Sequence, residues 1–383
     1  MSDALRPFTI AVPESDLADL RDRLRRTRWP DAETCDGWDQ GIPLAYTRDL
    51  AAYWAEAYDW RRCEALLNRW QQFTTPIDGV DIHFLHRRSP NAEALPLVIT
   101  HGWPGSLIEF HKVIEPLADP AAHGGEALDA FHVVVPSLPG YGFSGKPART
   151  GMGVEAIGRC WGKLMARLGY DRYVAQGGDW GSAVTLSMAR TETTHCAGVH
   201  VNMPIVAPDP ETIDNPTAQE QRAFAAMEFY NRWDSGYSKQ QATRPQTLGY
   251  ALADSPTGQL AWIMEKFQAW TDCEQDGVRH PEHALGRDEM LDNITLYWLS
   301  NSAASSARLY WESFNEPDLS PIDLPVGCSL FPGEIFQCSR RWAERRFRNL
   351  VYWNEPPRGG HFAAFEQPGI FVEELRSAFR ALR

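Results

Sequence analysis

Apolar residues recur at helical spacing near the start of the chain. The pattern predicts a helix over residues 14–28, which Trp29-Pro30 ends, and a second, aromatic-rich helical region over residues 46–73. The apolar face of the first helix consists of Leu17, Leu20 and Leu24. Residues 1–75 contain no catalytic motif, so we expect a helical segment that packs on the later core and lid of the protein.

Short apolar strands replace this pattern after residue 70. They begin with a hairpin turned by Asp78-Gly79, and a helix over residues 154–168 precedes one of the later strands. The strands predicted up to residue 203 are 71–77, 80–86, 95–100, 131–136, 170–175 and 196–203. Alternation of strands and helices favours an α/β fold with a mainly parallel sheet and right-handed crossovers.

The alternation is interrupted after Met203. Four prolines follow, residues 217–312 have a helical pattern rich in aromatic residues, and three more prolines precede the next strand. The later elements are strands at 326–331 and 350–353 and a closing amphipathic helix at 365–382. We therefore predict an α/β core formed by residues 76–205 and 320–383, with a helical lid over residues 206–319 inserted into it.

Composition narrows the class of protein. The formal net charge is -13, from 50 acidic and 37 basic residues, which disfavours nucleic acid and anionic membranes as partners. The start has no signal-peptide core and no apolar run reaches membrane-spanning length, so we expect no membrane anchor. Seven cysteines without a CxxC pair are typical of reduced thiols in a cytoplasmic protein.

The stretch Gly177-Gly178-Asp179-Trp180-Gly181 joins a predicted strand to a predicted helix. Glycines two residues before and two residues after a central residue form the pattern of a nucleophile elbow, a turn too sharp for flanking side chains. The central residue here is Asp179. A carboxylate is ionised at neutral pH and can attack carbon without an activating base, which forms an ester. The alternative is an aspartate that only caps the helix.

Two further residues with useful chemistry follow later strands. His361, flanked by Gly359-Gly360 on one side, follows the last strand, and Glu334 follows the strand before it. The order nucleophile, acid, histidine is that of α/β hydrolases, and parallel strands bring all three residues to one edge of the sheet. Glu334 is the best acid candidate, because Asp323 precedes its strand and Glu355 is too close to His361 in the chain.

The loop His101–Ser106 follows an earlier strand and contains two glycines. In α/β hydrolases a His-Gly loop at this point supplies one backbone amide of an oxyanion hole. An ordinary glycine-proline turn is the alternative. The histidine pairs His83/His86 and His280/His283 are poor metal-ligand candidates, so we predict no metal site.

Together these motifs resemble those of microsomal-type epoxide hydrolases, and the resemblance covers nearly the whole chain. It rests on the elbow and the His-Gly loop, and on Arg28–Asp31, Thr243–Gly249, Asp254–Pro256 and Gly359–Phe365. It implies an α/β-hydrolase core, a helical lid and an N-terminal helical extension. The two lid tyrosines of the family match Tyr237 and Tyr310. Membrane-anchored members carry a hydrophobic N-terminal helix that this sequence lacks, so it is most similar to the soluble bacterial and fungal branch.

The resemblance implies conversion of an epoxide to a vicinal diol without metal or cofactor. Asp179 would attack an epoxide carbon while Tyr237 and Tyr310 donate hydrogen bonds to the ring oxygen. His361, oriented by Glu334, would then activate the water that cleaves the Asp179 ester.

The same resemblance assigns supporting roles. The backbone amides of Trp103 and Trp180 would hold the oxyanion, and His101 and Gly102 would contact the substrate. The aromatic lid favours an apolar substrate, aryl epoxides included. A homodimer, and roles in detoxification, aromatic hydrocarbon catabolism or biosynthesis, stay open.

Two alternatives remain beside this prediction. A haloalkane dehalogenase uses the same aspartate nucleophile and stabilises halide with indole N–H groups, which the fifteen tryptophans would permit. A ligand-binding relative that has lost catalysis is the other, although Asp179, Glu334 and His361 argue against it. A serine esterase is nearly excluded, because Asp179 replaces the serine.

Overall fold

The centre of the molecule is a mainly parallel β-sheet. The computed structural model of the chain describes residues 4–315 and 317–383. The strands in these ranges are β1 Arg6–Phe8, β2 Gln72–Ile77, β3 Val80–Arg87, β4 Leu95–Thr100, β5 Phe131–Pro136, β6 Tyr173–Gly177, β7 Cys196–Val201, β8 Glu274–Gln275, β9 Val278–Arg279, β10 Val326–Ser329 and β11 Leu350–Asn354. The main sheet has the order β1-β2-β3-β5-β4-β6-β7-β10-β11, while β8 and β9 form a separate hairpin. In this sheet β1, β2, β3 and β5 pair antiparallel in turn, whereas the strands from β5 through β4, β6, β7 and β10 to β11 pair parallel, which confirms the predicted fold class.

Helices cover both faces of the sheet and form the inserted region. They are α1 Glu14–Arg25, α2 Leu44–Glu56, α3 Trp60–Leu67, α4 Ile114–Ala118, α5 Val154–Arg167, α6 Trp180–Thr191, α7 Ala218–Phe229, α8 Gly236–Thr243, α9 Pro245–Asp254, α10 Pro256–Trp270, α11 Arg287–Leu299, α12 Ala303–Ser313, α13 Arg340–Arg346, α14 Ala363–Glu366 and α15 Pro368–Phe379. The single closing helix predicted over 365–382 is wrong in one respect. The helix breaks at Gln367, because Pro368 has no amide N–H with which to continue α14 and instead begins α15.

The N-terminal segment differs from the prediction of helices alone. Strand β1 extends the sheet by pairing with β2, a contact too short to leave an alternating pattern in the sequence. The helical region predicted over 46–73 is two helices, and Asp59 caps the second by accepting the amide of Arg61. The segment packs on α11, where Trp54 donates to Thr295 and Tyr58 donates to Asp292.

The lid is an excursion between two neighbouring strands. Strand β7 pairs directly with β10, with Val199 opposite Val326, although helices α7 to α12 lie between these strands in the chain. These helices are therefore an insertion between two neighbouring strands of the sheet. The carboxyl ends of β4, β6, β10 and β11 lie at one edge of the sheet, beneath these helices. This edge is where sites form in open α/β sheets.

Two structural findings bear on the membrane and metal predictions. Each helix of residues 4–315 and 317–383 is too short or too polar to cross a membrane. The prediction about the chain start rests on residues 1–6, of which residues 1–3 lie outside the described residues. Within the described ranges, no cluster of three His, Cys, Asp or Glu side chains is arranged to hold a metal ion.

Candidate active site

The nucleophile elbow has the sharp geometry that its glycines predict. Asp179 lies between the end of β6 and the start of α6 with φ 51° and ψ -126°, a conformation that L-residues rarely adopt. A Cβ on Gly177 would lie 2.0 Å from the carbonyl oxygen of Gly181, and a Cβ on Gly181 would lie 1.9 Å from that of Thr100. Only glycine fits at either position, and this allows the turn to be so sharp that the side chain of Asp179 projects away from it. The positive φ of Asp179 is the strained part of this turn.

The carboxylate of Asp179 faces the neighbouring loops. Its Oδ1 atom accepts the backbone amide of Trp103 at 2.7 Å, and its Oδ2 atom lies 3.4 Å from Nε2 of His361. Although Asp179 occupies the N-cap position of α6, its side chain accepts no amide of that helix in the described structure. The alternative of a helix-capping aspartate is therefore wrong. Trp180 is the first residue of α6, so its amide belongs to the unpaired N-terminal donors of the helix.

His361 is fixed by the loop that follows β10. Its Nδ1 atom and Oε1 of Glu334 are 2.7 Å apart, and both side chains are fully buried. The same oxygen also accepts the amide of Ile335 at 2.7 Å. Because Nδ1 is bonded to a carboxylate, Nε2 is the atom left to face Asp179.

The charges around His361 favour its protonated form. Burial opposes the charge, but Glu334 and Asp179 together hold the pKa of His361 well above its usual range. The imidazolium therefore lies between two carboxylates. Loss of the negative charge on Asp179 removes part of that support, so the protonation of His361 depends on the chemical state of Asp179.

The two acids set aside in the sequence lie elsewhere. Asp323 pairs with Arg348 on the surface. Glu355 accepts hydrogen bonds from Gln219 and Trp353.

The backbone of the His361 loop is fully engaged. The amide of Gly359 donates to Asp272, and the amide of His361 donates to the carbonyl of Trp270. The amides of Gly360 and Phe362, on either side of His361, both donate to Glu366. Glu366 also accepts the amide of Asp272 at 2.8 Å. The end of α10 and the catalytic loop are thus joined through one buried carboxyl group.

The lid places both predicted tyrosines over the His-Gly loop. The ring of Tyr237 stacks on Trp103 with centroids 4.9 Å apart, and Tyr310 meets the same indole edge-on at 5.9 Å. Tyr310 also meets the ring of Trp180 at 4.8 Å. Burial raises the pKa of Tyr237 and that of Tyr310 well above the usual range, so both are neutral hydrogen-bond donors.

The two tyrosine hydroxyls are not equivalent. Tyr237 lies 3.2 Å from the hydroxyl of Tyr230, which donates to Ser238, which in turn donates to the carbonyl of Ser235. Since Tyr230 and Ser238 each use their one proton in this chain, Tyr237 donates to Tyr230. The buried hydroxyl of Tyr310 makes no hydrogen bond within the described residues.

A buried charge network supports this part of the lid. Asp234 accepts the ammonium of Lys266 at 2.6 Å and the indole N–H of Trp270 at 2.6 Å. The ammonium lies 4.7 Å from the ring centre of Tyr237. The network therefore links Tyr237 to Trp270. Because the carbonyl of Trp270 accepts the amide of His361, the same group of residues also positions the histidine.

The structure gives His101 a role that the sequence did not predict. Its Nε2 atom accepts the amide of Leu138 at 3.1 Å, and its Nδ1 atom lies 3.0 Å from the carbonyl oxygen of Gly102. Both ring nitrogens are used within the protein and burial lowers the pKa of the ring to about 4, so His101 orders the loop through these two contacts. Gly102 provides room for the nucleophile, because a Cβ there would lie 2.1 Å from Oδ1 of Asp179.

Three residues near the site were missed in the sequence. Glu109 and Glu366 each follow apolar residues, in 107–110 and 363–366, and a carboxylate inside such a run is a signal of a buried, functional acid. Tyr230 had no signal of its own among the many aromatic residues of the lid.

Comparison with known proteins extends these observations. The family profile described as epoxide hydrolase N terminus matches residues 5–110, and that described as alpha/beta hydrolase fold matches residues 96–243. An epoxide hydrolase homologue from Stigmatella aurantiaca is 56% identical over 380 residues, covering 99% of this chain and 86% of that protein. Epoxide hydrolase 1 of Sus scrofa is 34% identical, covering 98% of this chain and 88% of its own length. The solved structure of Aspergillus niger epoxide hydrolase superimposes with a TM-score of 0.89 at 33% identity, covering 99% of this chain and 97% of that one.

Proposed function

Because the chain belongs to the epoxide hydrolase family, we propose that Asp179 opens an epoxide ring and that His361 completes its conversion to a vicinal diol. The protein is a hydrolase with the α/β-hydrolase fold. The observation that supports the mechanism most directly is the position of Asp179 between the amide of Trp103 and Nε2 of His361.

The first step is attack of Asp179 on an epoxide carbon. Tyr237 and Tyr310 donate hydrogen bonds to the ring oxygen, and one of them transfers its proton as the C–O bond breaks, so the oxygen becomes a hydroxyl and not a free alkoxide. The tyrosinate regains a proton, through solvent, from the imidazolium of His361, which becomes neutral once the charge of Asp179 is lost. Positioned acid catalysis of this kind contributes roughly 10² to 10⁴ in rate. Support comes from the packing of both rings around Trp103, whose amide holds the nucleophile.

The second step is hydrolysis of the ester on Asp179. Formation of the ester removes the charge of Asp179, so the pKa of His361 falls towards the range in which the neutral ring accepts a proton from water. Water attacks the ester carbon, and the amides of Trp103 and Trp180 hold the resulting oxyanion. Loss of one such donor costs about 3 kcal/mol in other hydrolases.

The substrate we propose is an apolar epoxide, aryl epoxides included. The rings above the nucleophile form an aromatic wall that offers few polar partners beyond the two tyrosine hydroxyls. This wall consists of Trp103, Trp180, Tyr237, Trp270 and Tyr310. We also propose a cytoplasmic location, which the seven free cysteines support.

The test is diol formation from racemic styrene oxide, with chloride release from a chloroalkane measured in parallel. We expect diol from the wild type and none from Asp179→Ala. The matched control is Asp276→Ala, which removes another aspartate of positive φ (52°) from an exposed turn of the lid, and we expect it to retain activity. Chloride without diol would instead support the dehalogenase alternative.

A further inference from the structure

Glu109 is a buried carboxyl group beside the catalytic residues. It lies in a 3-10 turn, Leu107–Phe110, and is 8% exposed. Its carboxyl group folds back onto the His-Gly loop, where a Cβ added to Gly105 would lie 1.3 Å from Oε1. Glycine at 105 therefore leaves the space that this carboxyl group occupies.

The carboxyl group of Glu109 opens into a small cavity that also exposes the nucleophile and the histidine. The space available to the centre of a water molecule is about 20 Å³. A cavity needs roughly 10–15 Å³ by this measure to hold one water. Its polar lining includes Glu109, Asp179, Asn202 and His361, while the two lid tyrosines are not among its lining residues. The cavity therefore adjoins the carboxylate of Asp179 on a side that the two tyrosines do not line. Water can be bound on this side, whereas the epoxide oxygen is bound at the tyrosines.

Glu109 is neutral in this environment. Burial is the main cause that raises its pKa, to about 8, with Asp179 and Glu366 adding to the rise and His361 opposing it. A neutral carboxyl group beside Asp179 adds no negative charge that would repel an oxyanion forming there. Its oxygen atoms can still accept and donate hydrogen bonds.

We propose that Glu109 is a positioning residue that holds the hydrolytic water in this cavity between His361 and the ester carbon of Asp179. The inference rests on the proposed two-step mechanism. One water proton passes to Nε2 of His361, the other donates to the carbonyl oxygen of Glu109, and the water oxygen bonds to the ester carbon. The ester C–O bond then breaks and the diol oxygen takes the proton from His361. The second water proton stays on the carboxyl group of Asp179, which passes it to His361, and Glu109 keeps its own proton throughout.

The test separates the two steps by rapid mixing of enzyme in excess with styrene oxide. Formation and decay of the ester are followed by mass spectrometry of quenched samples. In Glu109→Leu, we expect ester formation to be unchanged and ester hydrolysis to slow by about 10²-fold, the order of loss for a misplaced reactant. Glu109→Gln keeps a carbonyl acceptor without charge, and we expect it to restore hydrolysis.

A second variant moves the same carboxyl group without removing it. Gly105→Ala displaces Oε1 of Glu109, which is the flexible end of its side chain, and we expect the same selective loss of ester hydrolysis. The matched control is Asp129→Asn, which removes a buried carboxylate next to β5 at the opposite edge of the sheet. We expect the control to leave the ratio of the two rates unchanged.

The pH profile gives a readout that a purely structural role would not alter. We expect ester hydrolysis by the wild type to decline as pH rises through about 8, where Glu109 loses its proton, and to show no such decline in Glu109→Gln. His361, Asp179 and Glu366 face the same group and are present in both proteins.

The outcomes are separable from those of the proposed function. Equal loss of both steps in Glu109→Leu, or failure of Glu109→Gln to restore hydrolysis, would overturn the role of Glu109. His361→Gln is the reference for the mechanism itself. An ester that accumulates in His361→Gln but not in Glu109→Leu would reject the inference alone, whereas absence of ester in both would reject the mechanism and the inference with it.

Discussion

The carboxyl group of Glu366 accepts the two backbone amides that flank His361 in the chain, each at 3.0 Å. It also accepts the amide of Asp272, two residues beyond the end of α10. The catalytic imidazole is therefore positioned twice, at its ring by Glu334 and at its backbone by Glu366. A backbone anchor of this kind fixes where the ring can lie without touching the substrate.

Replacement of Glu366 tests this anchor. Glu366→Gln has nearly the same shape, but its NH₂ group cannot accept an amide, so at least one buried N–H loses its partner at a cost of about 1–3 kcal/mol. We expect a lower melting temperature and a lower kcat with little change in KM. Calorimetry and steady-state kinetics measure these effects, with Glu355→Gln, on the exposed side of the same loop, as the control. A wild-type kcat in a folded Glu366→Gln protein would show that the anchor is dispensable.

His361→Gln should separate the two chemical steps. Asp179 needs no base to attack the epoxide, so we expect the ester to form at a rate close to that of the wild type. Hydrolysis requires a proton acceptor that glutamine does not supply, so the ester should accumulate. Intact-protein mass spectrometry would detect a single addition of the epoxide mass. Asp179→Ala is the control that should show none, and a failure to trap any adduct in His361→Gln would count heavily against an ester intermediate.

The sequence predicted the parts of the site that depend on local patterns. The elbow around Asp179, the loop before His361 and the acid after β10 each follow a strand, and the parallel order of strands brings them together. Glu334 lies where that reasoning placed it. The fold class, the lid insertion and most strand bounds also follow from a local pattern, the periodicity of apolar residues along the chain.

Long-range contacts account for what the sequence did not predict. Nothing near His101 in the chain indicates that the amide of Leu138 would occupy its Nε2 atom. Glu109 and Glu366 act across loops that are distant in sequence, so their apolar neighbours indicated burial but no partner. Strand β1 forms only because β2 offers an open edge.

The two lid tyrosines should contribute unequally. Tyr310 has an unpaired, buried hydroxyl, whereas Tyr237 must give up its hydrogen bond to Tyr230 before it can donate to the epoxide oxygen. We therefore expect Tyr310→Phe to slow ester formation more than Tyr237→Phe, within the roughly 10² to 10⁴ range of positioned acid catalysis.

Rapid mixing would measure this order, with ester hydrolysis expected to stay constant in both variants. Tyr250→Phe, an exposed tyrosine of the lid, is the control. A greater loss in Tyr237→Phe would mean that the chain through Tyr230 assists proton donation instead of opposing it.

Glu109 also predicts how stability depends on pH. Its pKa rises from 4.5 to about 8 on folding, chiefly through burial, so between these values the folded protein holds a proton that the unfolded chain has released. Raising the pH through this window therefore lowers the free energy of unfolding. Relative to Glu109→Gln, which has no such proton, the wild type should lose on the order of 4 kcal/mol between pH 5 and pH 8.5. Urea unfolding of both proteins across this range measures the difference, in which groups common to the two cancel, including His361 and Glu366. Parallel curves would show that Glu109 titrates in the folded protein as it does in the unfolded chain.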